Sequence, residues 1–540
     1  MQVNEQGLKN KEQWESKGYD LPKFDRAAVT EKTKENPFWV HFGAGNIFRA
    51  FQANVVQNLL NDGVLDRGLV VAEGFDYEIV EKMNRPHDGY SILVTLKANG
   101  SVEKTVVGSV VESLTVDSDN DADFNRLREI FKKDSLQMAS FTITEKGYSL
   151  VNGKGEMLPS VVADMEKGPE KPESYIGKVV SLLYTRFQAG EKPIAMVSMD
   201  NCARNGEKLR AGVLSMARGW AERGLVESAF LDWLEDEGRV SFPWSMIDKI
   251  TPHPSERVQE ELGRLGVADM AIARTNTGTL IAPFVNAEIT EYLVLEDAFP
   301  NGRPALEGAG VYLTDRTTVE KAEKMKVGTC LNPLHTALAV YGCLLGYTSI
   351  AAEMGDADLK ALVEHIAAES LPVVEDPGIL SPRAFIDEVL HERFPNPAIP
   401  DTPQRIAADT SQKLPVRYGG TLRRYSRQSE QALAGLEFAP LVFAGWCRYL
   451  LGVDDRGNAM PVSPDPMLPQ LQAHLKGIEV GRPDSLAGQL RPILSNAALF
   501  GVDLYAAGLG ERTEEMFRDM LAGPGAVRAT LHRNCVCKQP

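Results

Sequence analysis

The sequence predicts an α/β protein with two domains, a doubly wound parallel sheet followed by a mainly α-helical domain. In the first half, short apolar runs alternate with helical stretches, as in sheets that helices cover on both faces. In the second half, long amphipathic segments dominate. With 540 residues, of which 43% are hydrophobic, the chain is long enough to bury a core in each domain.

The predicted elements follow in order along the chain. Residues 1–36 are polar and rich in Lys and Glu, so we expect them to form an arm on the surface of the next domain. Residues 37–287 are predicted to form the sheet domain and residues 288–540 the helical domain. The predicted strands are residues 39–42, 68–72, 138–144 and 194–199; the predicted helices of the second half are residues 334–345, 357–370, 428–451 and 511–521.

A glycine-containing turn follows the first predicted strand and precedes a helical run. Gly43 permits a tight turn, and Gly45 lets the backbone approach a pyrophosphate at the helix N-terminus. Phe48 stands where a third glycine would be, so we expect the helix to lie farther from the strand. With Asn46 and Arg49, these residues predict the dinucleotide site of a Rossmann-type domain.

Acidic residues follow the second predicted strand. Glu73 or Asp76 could accept hydrogen bonds from the ribose hydroxyls of a dinucleotide, and the sequence leaves both open. A carboxylate there repels a 2′-phosphate. The sequence therefore favours NAD over NADP as the cofactor.

Charge and composition exclude other classes of protein. The net charge of −16 argues against nucleic acid as a partner, because phosphate binding needs clustered Lys and Arg. No run is apolar enough to span a membrane and the start lacks the apolar core of a signal peptide, so we expect a cytoplasmic protein. Six cysteines are too few for a disulfide framework, and Cys535 and Cys537 lack a second pair at zinc-ligand spacing, so no metal is predicted and these two have no assigned role.

The most informative segment lies at the mouth of the predicted helix 334–345. Lys326 could exchange a proton with a substrate hydroxyl if burial or a neighbouring cation such as Lys324 favours its neutral form. Asn332 and His335 are one helical turn apart and could hold the substrate oxygen together, with Asn332 as the helix cap. This combination indicates alcohol oxidation or ketone reduction without a metal.

Seven ordered motifs resemble the long-chain polyol dehydrogenase family, also called the mannitol dehydrogenase family. The resemblance covers roughly residues 38–530. The motifs are GAGNIFRA (43–50), TEKGY (144–148), DN-x3-NG (200–206), SMIDKITP (245–252), ED-x-F-x2-GRP (296–304), the segment 326–335 and W-x-RYL (446–450).

The resemblance implies roles for the residues of the site. Lys326 would be the general base in oxidation and the acid in reduction, Asn332 and His335 would bind the reacting oxygen, and Glu323 would lie on a proton path to solvent. The residues implied to line the substrate pocket are Asn201, which lies beside the nicotinamide, Asp248, Lys249, Arg405 and Lys413.

The departures from the family pattern shift the expected substrate. Five residues separate Lys326 from Asn332, one more than is typical of the mannitol enzymes, so one extra residue must be absorbed before the helix. Lys249 replaces a usual Arg. The form of residues 329–338 resembles the hexuronate-reducing members, which interconvert fructuronate and mannonate. A hexuronate carboxylate needs a cation, and Arg405, Lys413 and Lys249 are available.

The sequence leaves other substrates and functions open. The substrate could instead be a neutral ketose or polyol, as in mannitol 2-dehydrogenase, or tagaturonate. A non-catalytic module that binds a sugar or a nucleotide is a further alternative. We expect a monomer or a small homo-oligomer.

Overall fold

The computed structural model of the protein describes residues 1–536, which form two compact units. The N-terminal unit comprises residues 1–96 and 101–320. The C-terminal unit comprises residues 97–100 and the chain from residue 321 onward. Each unit is described by itself below.

The strands all lie in the N-terminal unit. They are β1 (Tyr19–Asp20), β2 (Trp39–Phe42), β3 (Leu69–Glu73), β4 (Ser91–Leu96), β5 (Val102–Val107), β6 (Val110–Thr115), β7 (Met138–Phe141), β8 (Ile194–Ser198), β9 (Val240–Ser241), β10 (Ser245–Asp248), β11 (Ala273–Arg274), β12 (Leu280–Ile281), β13 (Phe284–Glu288), β14 (Tyr292–Glu296) and β15 (Tyr312–Thr314).

The main sheet has six strands in the order β6-β3-β2-β7-β8-β9, and every pairing in it is parallel. Smaller sheets have the orders β1-β5-β4-β13, β10-β14-β15 and β11-β12. Because the strands of the main sheet are parallel, their carboxyl ends meet at one edge, where ligands bind in open α/β sheets.

Apolar clusters cover both faces of the main sheet. On β2, Val40 and Phe42 belong to a cluster that includes Leu127 and Val180 on one side. The alternate residue Trp39 belongs to a second cluster on the other side. Alternate side chains of a strand point to opposite faces, so this division confirms the predicted doubly wound sheet.

Helices cover the main sheet within the N-terminal unit, and other helices make up most of the C-terminal unit. Those that begin in the N-terminal unit are α1 (Lys11–Glu15), α2 (Arg26–Glu35), α3 (Ala53–Asn61), α4 (Asp121–Phe131), α5 (Thr144–Gly147), α6 (Pro159–Lys167), α7 (Tyr175–Gln188), α8 (Asn205–Glu222), α9 (Ser228–Glu235), α10 (Glu256–Arg264) and α11 (Arg316–Met325). The others are α12 (Asn332–Leu345), α13 (Ile350–Glu353), α14 (Ala357–Ser370), α15 (Pro382–Glu388), α16 (Pro403–Ile406), α17 (Thr410–Arg417), α18 (Gly419–Gln428), α19 (Glu430–Ala434), α20 (Phe438–Tyr449), α21 (Leu468–His474), α22 (Arg491–Leu494), α23 (Ala497–Phe500), α24 (Gly510–Met520) and α25 (Ala526–Cys535).

Two predicted elements differ from the structure. The strand predicted over 138–144 ends at Phe141, because Thr144 has φ of +64° and starts a short helix instead of continuing the strand. The helix predicted over 428–451 is divided into α19 and α20. Ser429 accepts a hydrogen bond from the N–H of Ala432, so a new helix starts where the apolar pattern runs on.

The two units divide at residues 320 and 321, whereas the sequence predicted a boundary between 287 and 288. The chain after residue 288 still contributes strands to the sheets of the N-terminal unit, because β14 pairs with β10 and β15 pairs with β14. These strands are short, so the sequence pattern did not reveal them.

The predicted N-terminal arm is folded into the N-terminal unit. It contains α1, α2 and β1, and β1 pairs with β5 in parallel. Trp14 is fully buried, and its indole N–H donates to the carbonyl oxygen of Gly7. Within residues 1–536, no helix has the length and apolar character needed to cross a membrane.

Candidate active site

The turn after β2 has one glycine that the fold requires and one that it does not. Gly43 has φ of +108°, and a Cβ there would collide with the carbonyl oxygen of Thr142. A Cβ at Gly45 would meet no heavy atom of the described chain within 4 Å. Gly43 is therefore needed for the turn itself, whereas the space beside Gly45 fits a group that approaches the backbone from outside, such as a pyrophosphate.

Phe48, in place of the third glycine, is buried against a histidine of β2. Its ring stacks on His41, with centroids 4.3 Å apart. Burial lowers the pKa of His41 to about 3, so the imidazole is neutral, and its nitrogens lie 2.6 Å from the hydroxyl of Ser140 and 2.8 Å from that of Thr142. Residues Phe48–Gln52 form a π-helical turn before α3. This wider turn makes room for an aromatic ring between strand and helix.

Asn46 and Arg49 support the turn from inside the protein. Nη1 of Arg49 donates to the carbonyl oxygen of Ala282 over 2.7 Å, and Nη2 donates to Oδ1 of Asn46 over 3.0 Å. Burial lowers the pKa of Arg49 to about 10. These contacts fix the loop whose backbone is predicted to face the pyrophosphate.

The two acidic candidates for the ribose contact have different surroundings. Glu73, at the end of β3, accepts hydrogen bonds from the N–H groups of Ala44 (2.6 Å), Phe75 (2.8 Å) and Asp76 (3.0 Å). Its carboxylate thus lies at the glycine turn. The carboxylate of Asp76 accepts hydrogen bonds from two threonine hydroxyls, those of Thr275 and Thr277. Both carboxylates are buried and engaged, so the feature that favours Glu73 for the ribose is its position beside Ala44 of the glycine turn.

Asn201 follows the carboxyl end of β8, next to a half-buried acid, Asp200, to which the sequence analysis gave no role. Asp200 accepts hydrogen bonds from the N–H groups of Ile143 (3.0 Å) and Thr144 (2.9 Å), and the hydroxyl of Tyr148 donates to it. Burial raises the pKa of Asp200 above its ordinary value. Asp200 thereby holds Thr144 in a left-handed conformation that is costly for a β-branched residue, and such strain often marks a functional site.

The two predicted pocket residues of β10 lie in the N-terminal unit. Asp248 is buried at the end of the strand. The side chain of Lys249 is 3% exposed, and its Nζ lies 2.8 Å from Oε2 of Glu291. Since this ion pair neutralises Lys249, the charge of its ammonium is already matched within the unit.

Lys326 is buried, with 3% exposure, and begins a π-helical turn, Lys326–Cys330. The N–H of Leu331 donates to the carbonyl oxygen of Lys326, five residues back. A π turn accommodates one more residue than an α-helical turn. It therefore absorbs the extra residue that the sequence showed between Lys326 and Asn332.

Lys324 and Glu323 precede this turn on α11. Lys324 is exposed, and its Nζ lies 3.8 Å from Oε2 of Glu375. Residues two apart on a helix do not share a face, so Lys324 is poorly placed to act on Lys326 as the sequence suggested. Glu323 is half-buried, one turn before Lys326. Its role in a proton path stays a prediction.

Asn332 and His335 lie on the first turn of α12. Asn332 is the first residue of the helix and not its cap, because the preceding Leu331 stands at the cap position without a side-chain hydrogen bond. Residues three apart on a helix share one face, so the prediction that Asn332 and His335 hold one oxygen together fits this helix and stays a prediction. The helix N-terminus adds a favourable field for negative charge on a nearby oxygen.

A carboxylate from a distant segment, which the sequence did not indicate, lies beside His335. Oδ2 of Asp401 is 2.7 Å from Nε2 of His335, although the angles are not those of a full hydrogen bond. The other oxygen of Asp401 pairs with Arg405. Burial alone would raise the pKa of Asp401, but His335 and Arg405 together lower it. Asp401 is therefore an anion that holds two predicted site residues.

The remaining cations of this region are Lys413 and Arg417. Nζ of Lys413 donates to the carbonyl oxygens of Ile406, over 2.9 Å, and Ala408. Arg417, which the sequence did not single out, donates from Nη1 to the hydroxyl of Thr336 over 2.6 Å. Thus α16 and α17 bring three cations, namely Arg405, Lys413 and Arg417, to the start of α12.

Within residues 1–536, no group of three or more His, Cys, Asp or Glu side chains is placed to hold a metal ion. Cys535 is buried, and burial raises its pKa to about 12. Cys537 lies outside the described residues.

Comparison with known proteins identifies the family. The mannitol dehydrogenase Rossmann domain matches residues 38–308, and the mannitol dehydrogenase C-terminal domain matches residues 318–511. D-mannonate oxidoreductase of Thermotoga maritima is 53% identical over 533 residues, which cover 98% of each chain.

Two solved structures share the fold. D-sorbitol dehydrogenase in substrate-free form has a TM-score of 0.78 at 26% identity and matches over 95% of this chain and 97% of its own. The ternary complex of Pseudomonas fluorescens mannitol 2-dehydrogenase with NAD and D-mannitol has a TM-score of 0.67 at 26% identity and matches over 100% of both chains. With both of its domains matched in order, the chain belongs to the mannitol dehydrogenase family.

Proposed function

We propose that this protein is a NAD-dependent, metal-independent oxidoreductase that interconverts D-fructuronate and D-mannonate. The observation that carries the proposal is the buried Lys326 on a π turn that leads directly into Asn332 and His335 on one face of α12. The similarity to D-mannonate oxidoreductase of Thermotoga maritima supports the choice of substrate.

The proposed roles follow from the chemistry of each group. Burial favours the neutral amine of Lys326, which can take the hydroxyl proton in oxidation and return it in reduction. Asn332 would donate a hydrogen bond to the reacting oxygen, on which negative charge develops, and His335 would help to position the same group. Asn201 and Asp248 are proposed to line the pocket, and Glu323 to connect Lys326 with solvent.

The residues at the carboxyl edge of the main sheet fit a dinucleotide. Gly45 leaves space beside the backbone, and Glu73 places a carboxylate at the same turn. We propose that Glu73 binds the ribose and selects NAD over NADP. When bound, the nicotinamide accepts or supplies the hydride. Asn46, Phe48 and Arg49 keep the turn in shape.

An absorbance assay at the nicotinamide band tests the proposal. We expect reduction of fructuronate with NADH, and oxidation of mannonate with NAD, at higher kcat/KM than for tagaturonate, fructose or mannitol. Activity should survive EDTA, because no metal takes part. Turnover of fructose or mannitol alone would contradict the hexuronate assignment, and no turnover of any sugar would favour a binding module.

We further propose that the enzyme works in the cytoplasm as a monomer or a small homo-oligomer. Cys202, Cys330, Cys343, Cys447 and Cys535 all carry free thiols. Free thiols are typical of a reducing compartment. Fractionation of the source cells and light scattering of the purified protein test these two points, and a protein found outside the cytoplasm would contradict the first.

A further inference from the structure

The guanidinium of Arg417 lies beside the residues proposed to hold the reacting oxygen. Nη1 donates to the hydroxyl of Thr336 over 2.6 Å and lies 3.5 Å from the carbonyl oxygen of Asn332. The hydroxyl of Thr336 itself donates to that carbonyl oxygen over 3.0 Å. Arg417 is thus attached to the first turn of α12, the turn that also carries His335.

Arg417 has no carboxylate partner among residues 1–536, unlike Arg405 and Arg424. Arg405 pairs with Asp401, and Nη1 of Arg424 lies 3.5 Å from Oε1 of Glu375. Burial lowers the pKa of Arg417 to about 10, and the neighbouring Tyr418 opposes this shift. A half-buried guanidinium without a carboxylate partner can still pair with an anionic ligand.

The surroundings of Arg417 are positively charged as well. Its charge lowers the pKa of Lys413, after the larger effect of burial, and it also lowers that of His335. Asp401, the carboxylate closest to His335, is already shared with Arg405. Arg417 and Lys413 therefore lie close enough to interact, and an anionic ligand beside Arg417 would interact favourably with both.

Two nitrogens of Arg417 are available for such a ligand. The hydrogen bonds that Arg417 makes to the described residues all come from Nη1. Nε and Nη2 make no hydrogen bond to a described residue, and Arg417 is only half-buried. These two nitrogens form one edge of the planar guanidinium, and that edge matches the two oxygens of a carboxylate.

We propose that Arg417 binds the carboxylate of the sugar-acid substrate and so makes the site select a hexuronate over a neutral ketose. This assignment rests on the proposed function and adds the residue that sets the substrate class. Arg405 and Lys413, whose charges are engaged by Asp401 and by backbone carbonyls, are left to contact hydroxyl groups.

Arg417→Gln and Arg417→Lys test the assignment in the full-length enzyme. With Arg417→Gln, we expect KM for fructuronate to rise about 10- to 100-fold with a smaller change in kcat, because a charge-assisted bond to a remote carboxylate contributes mainly to binding. Arg417→Lys keeps the positive charge but not the planar guanidinium with its paired N–H groups. Its KM for fructuronate should lie between those of the wild type and Arg417→Gln. The stabilisation of the NAD-bound enzyme by mannonate, measured by thermal unfolding, should fall in the same order.

Two comparisons separate substrate recognition from a structural role. The melting temperature of ligand-free Arg417→Gln should stay near that of the wild type, because the variant removes a half-buried charge that has no carboxylate partner. Arg424→Gln is the matched control, since Arg424 is half-buried on α18 and paired with Glu375, and it should leave KM for fructuronate unchanged.

The outcomes distinguish this inference from the proposed function. Wild-type turnover of fructuronate together with an unchanged KM in Arg417→Gln would overturn the role of Arg417 alone. So would a lower melting temperature with equal losses in kcat and KM, which indicates a structural role. A wild type that acts on neutral sugars only, or on none, would overturn both the proposed function and this inference.

Discussion

Asp401 lies 2.7 Å from His335 on one side and pairs with Arg405 on the other, so one carboxylate positions two residues of the proposed site. Asp401 contacts Nε2 of His335, so Nδ1 is the imidazole nitrogen that is left to contact a substrate. Burial lowers the pKa of His335 and Asp401 opposes this shift, so the imidazole stays neutral at pH 7. Because a carboxylate only accepts, the proton of the neutral imidazole lies on Nε2 toward Asp401, and Nδ1 can accept a hydrogen bond from a substrate hydroxyl.

Asp401→Asn should lower kcat/KM by about 10- to 100-fold, because it removes a charge-assisted contact that orients His335. It should also lower the pKa of His335 further, since Asp401 raises it. If activity needs neutral His335, the loss of kcat/KM at acid pH will occur at lower pH in the variant. An acid limb that moves to higher pH would contradict this account.

Lys326→Ala should lower kcat by about 10²–10⁴-fold, the usual effect of losing an acid–base group, while the affinity for NAD stays nearly unchanged. Lys324→Ala is the matched control, because Lys324 is exposed and paired with Glu375. It should keep wild-type turnover. Steady-state kinetics and NAD titration measure both, and a fully active Lys326→Ala variant would remove Lys326 from its role.

Glu73→Gln should weaken NAD binding and reduce the preference for NAD over NADP, because it removes the carboxylate next to the glycine turn. Asp76→Asn should leave this preference unchanged, since the carboxylate of Asp76 contacts Thr275 and Thr277 and not the glycine turn. The ratio of kcat/KM values for the two cofactors measures the effect. The reverse pattern would assign the ribose contact to Asp76.

Gly43→Ala should mainly lower the stability of the protein, whereas Gly45→Ala should mainly weaken NAD binding. The first should destabilise the N-terminal unit by at least about 1–3 kcal/mol, because it forces a strained φ and a collision with Thr142. The second should fold normally but raise the Kd for NAD at least about tenfold by filling the space for the pyrophosphate. Thermal unfolding and NAD titration distinguish them, and unchanged NAD affinity in Gly45→Ala would argue against this site.

Glu353 makes the stability of the C-terminal unit depend on pH. Its side chain is fully buried with neither oxygen hydrogen-bonded to a described residue, and burial raises its pKa from 4.5 to about 9. The folded state therefore keeps a proton that the unfolded state loses, and this stabilisation is complete below pH 4.5 and disappears as the pH rises to about 9.

Glu353→Gln, which is neutral at every pH, should gain stability relative to the wild type as the pH rises from 5 to 9. The difference in melting temperature between the two proteins should grow by about 2–4 °C for each kcal/mol by which their free energies of unfolding diverge. Thermal unfolding across this range measures it. A difference that is constant with pH would show that Glu353 ionises normally in the folded protein.

The sequence predicted the elements whose signals are local. The apolar runs of β2 and β8 and the helix α14 lie at or within a residue of where the pattern placed them. The strand end at Phe141 was missed because the left-handed conformation of Thr144 depends on hydrogen bonds to Asp200, far along the chain. The break between α19 and α20 was missed because the apolar pattern continues across it.

Some residues of the candidate site could likewise be predicted from the sequence, and others could not. Lys326, Asn332 and His335 could be found because they occupy one short segment with a recognisable spacing. Asp401 and Arg417 come from separate segments, and only packing around the start of α12 brings them to His335 and Thr336. A single Asp or Arg without a local pattern gives a sequence reader no reason to select it.

The stacking of Phe48 on His41 has a consequence for how nucleotide sites are recognised. A pattern search that demands three glycines would reject this chain, although the first two glycines hold the geometry that a pyrophosphate needs. A π turn allows the third position of the pattern to carry a large ring. The residue at this position therefore indicates how tightly the helix packs on its strand. It does not indicate whether the loop binds a nucleotide.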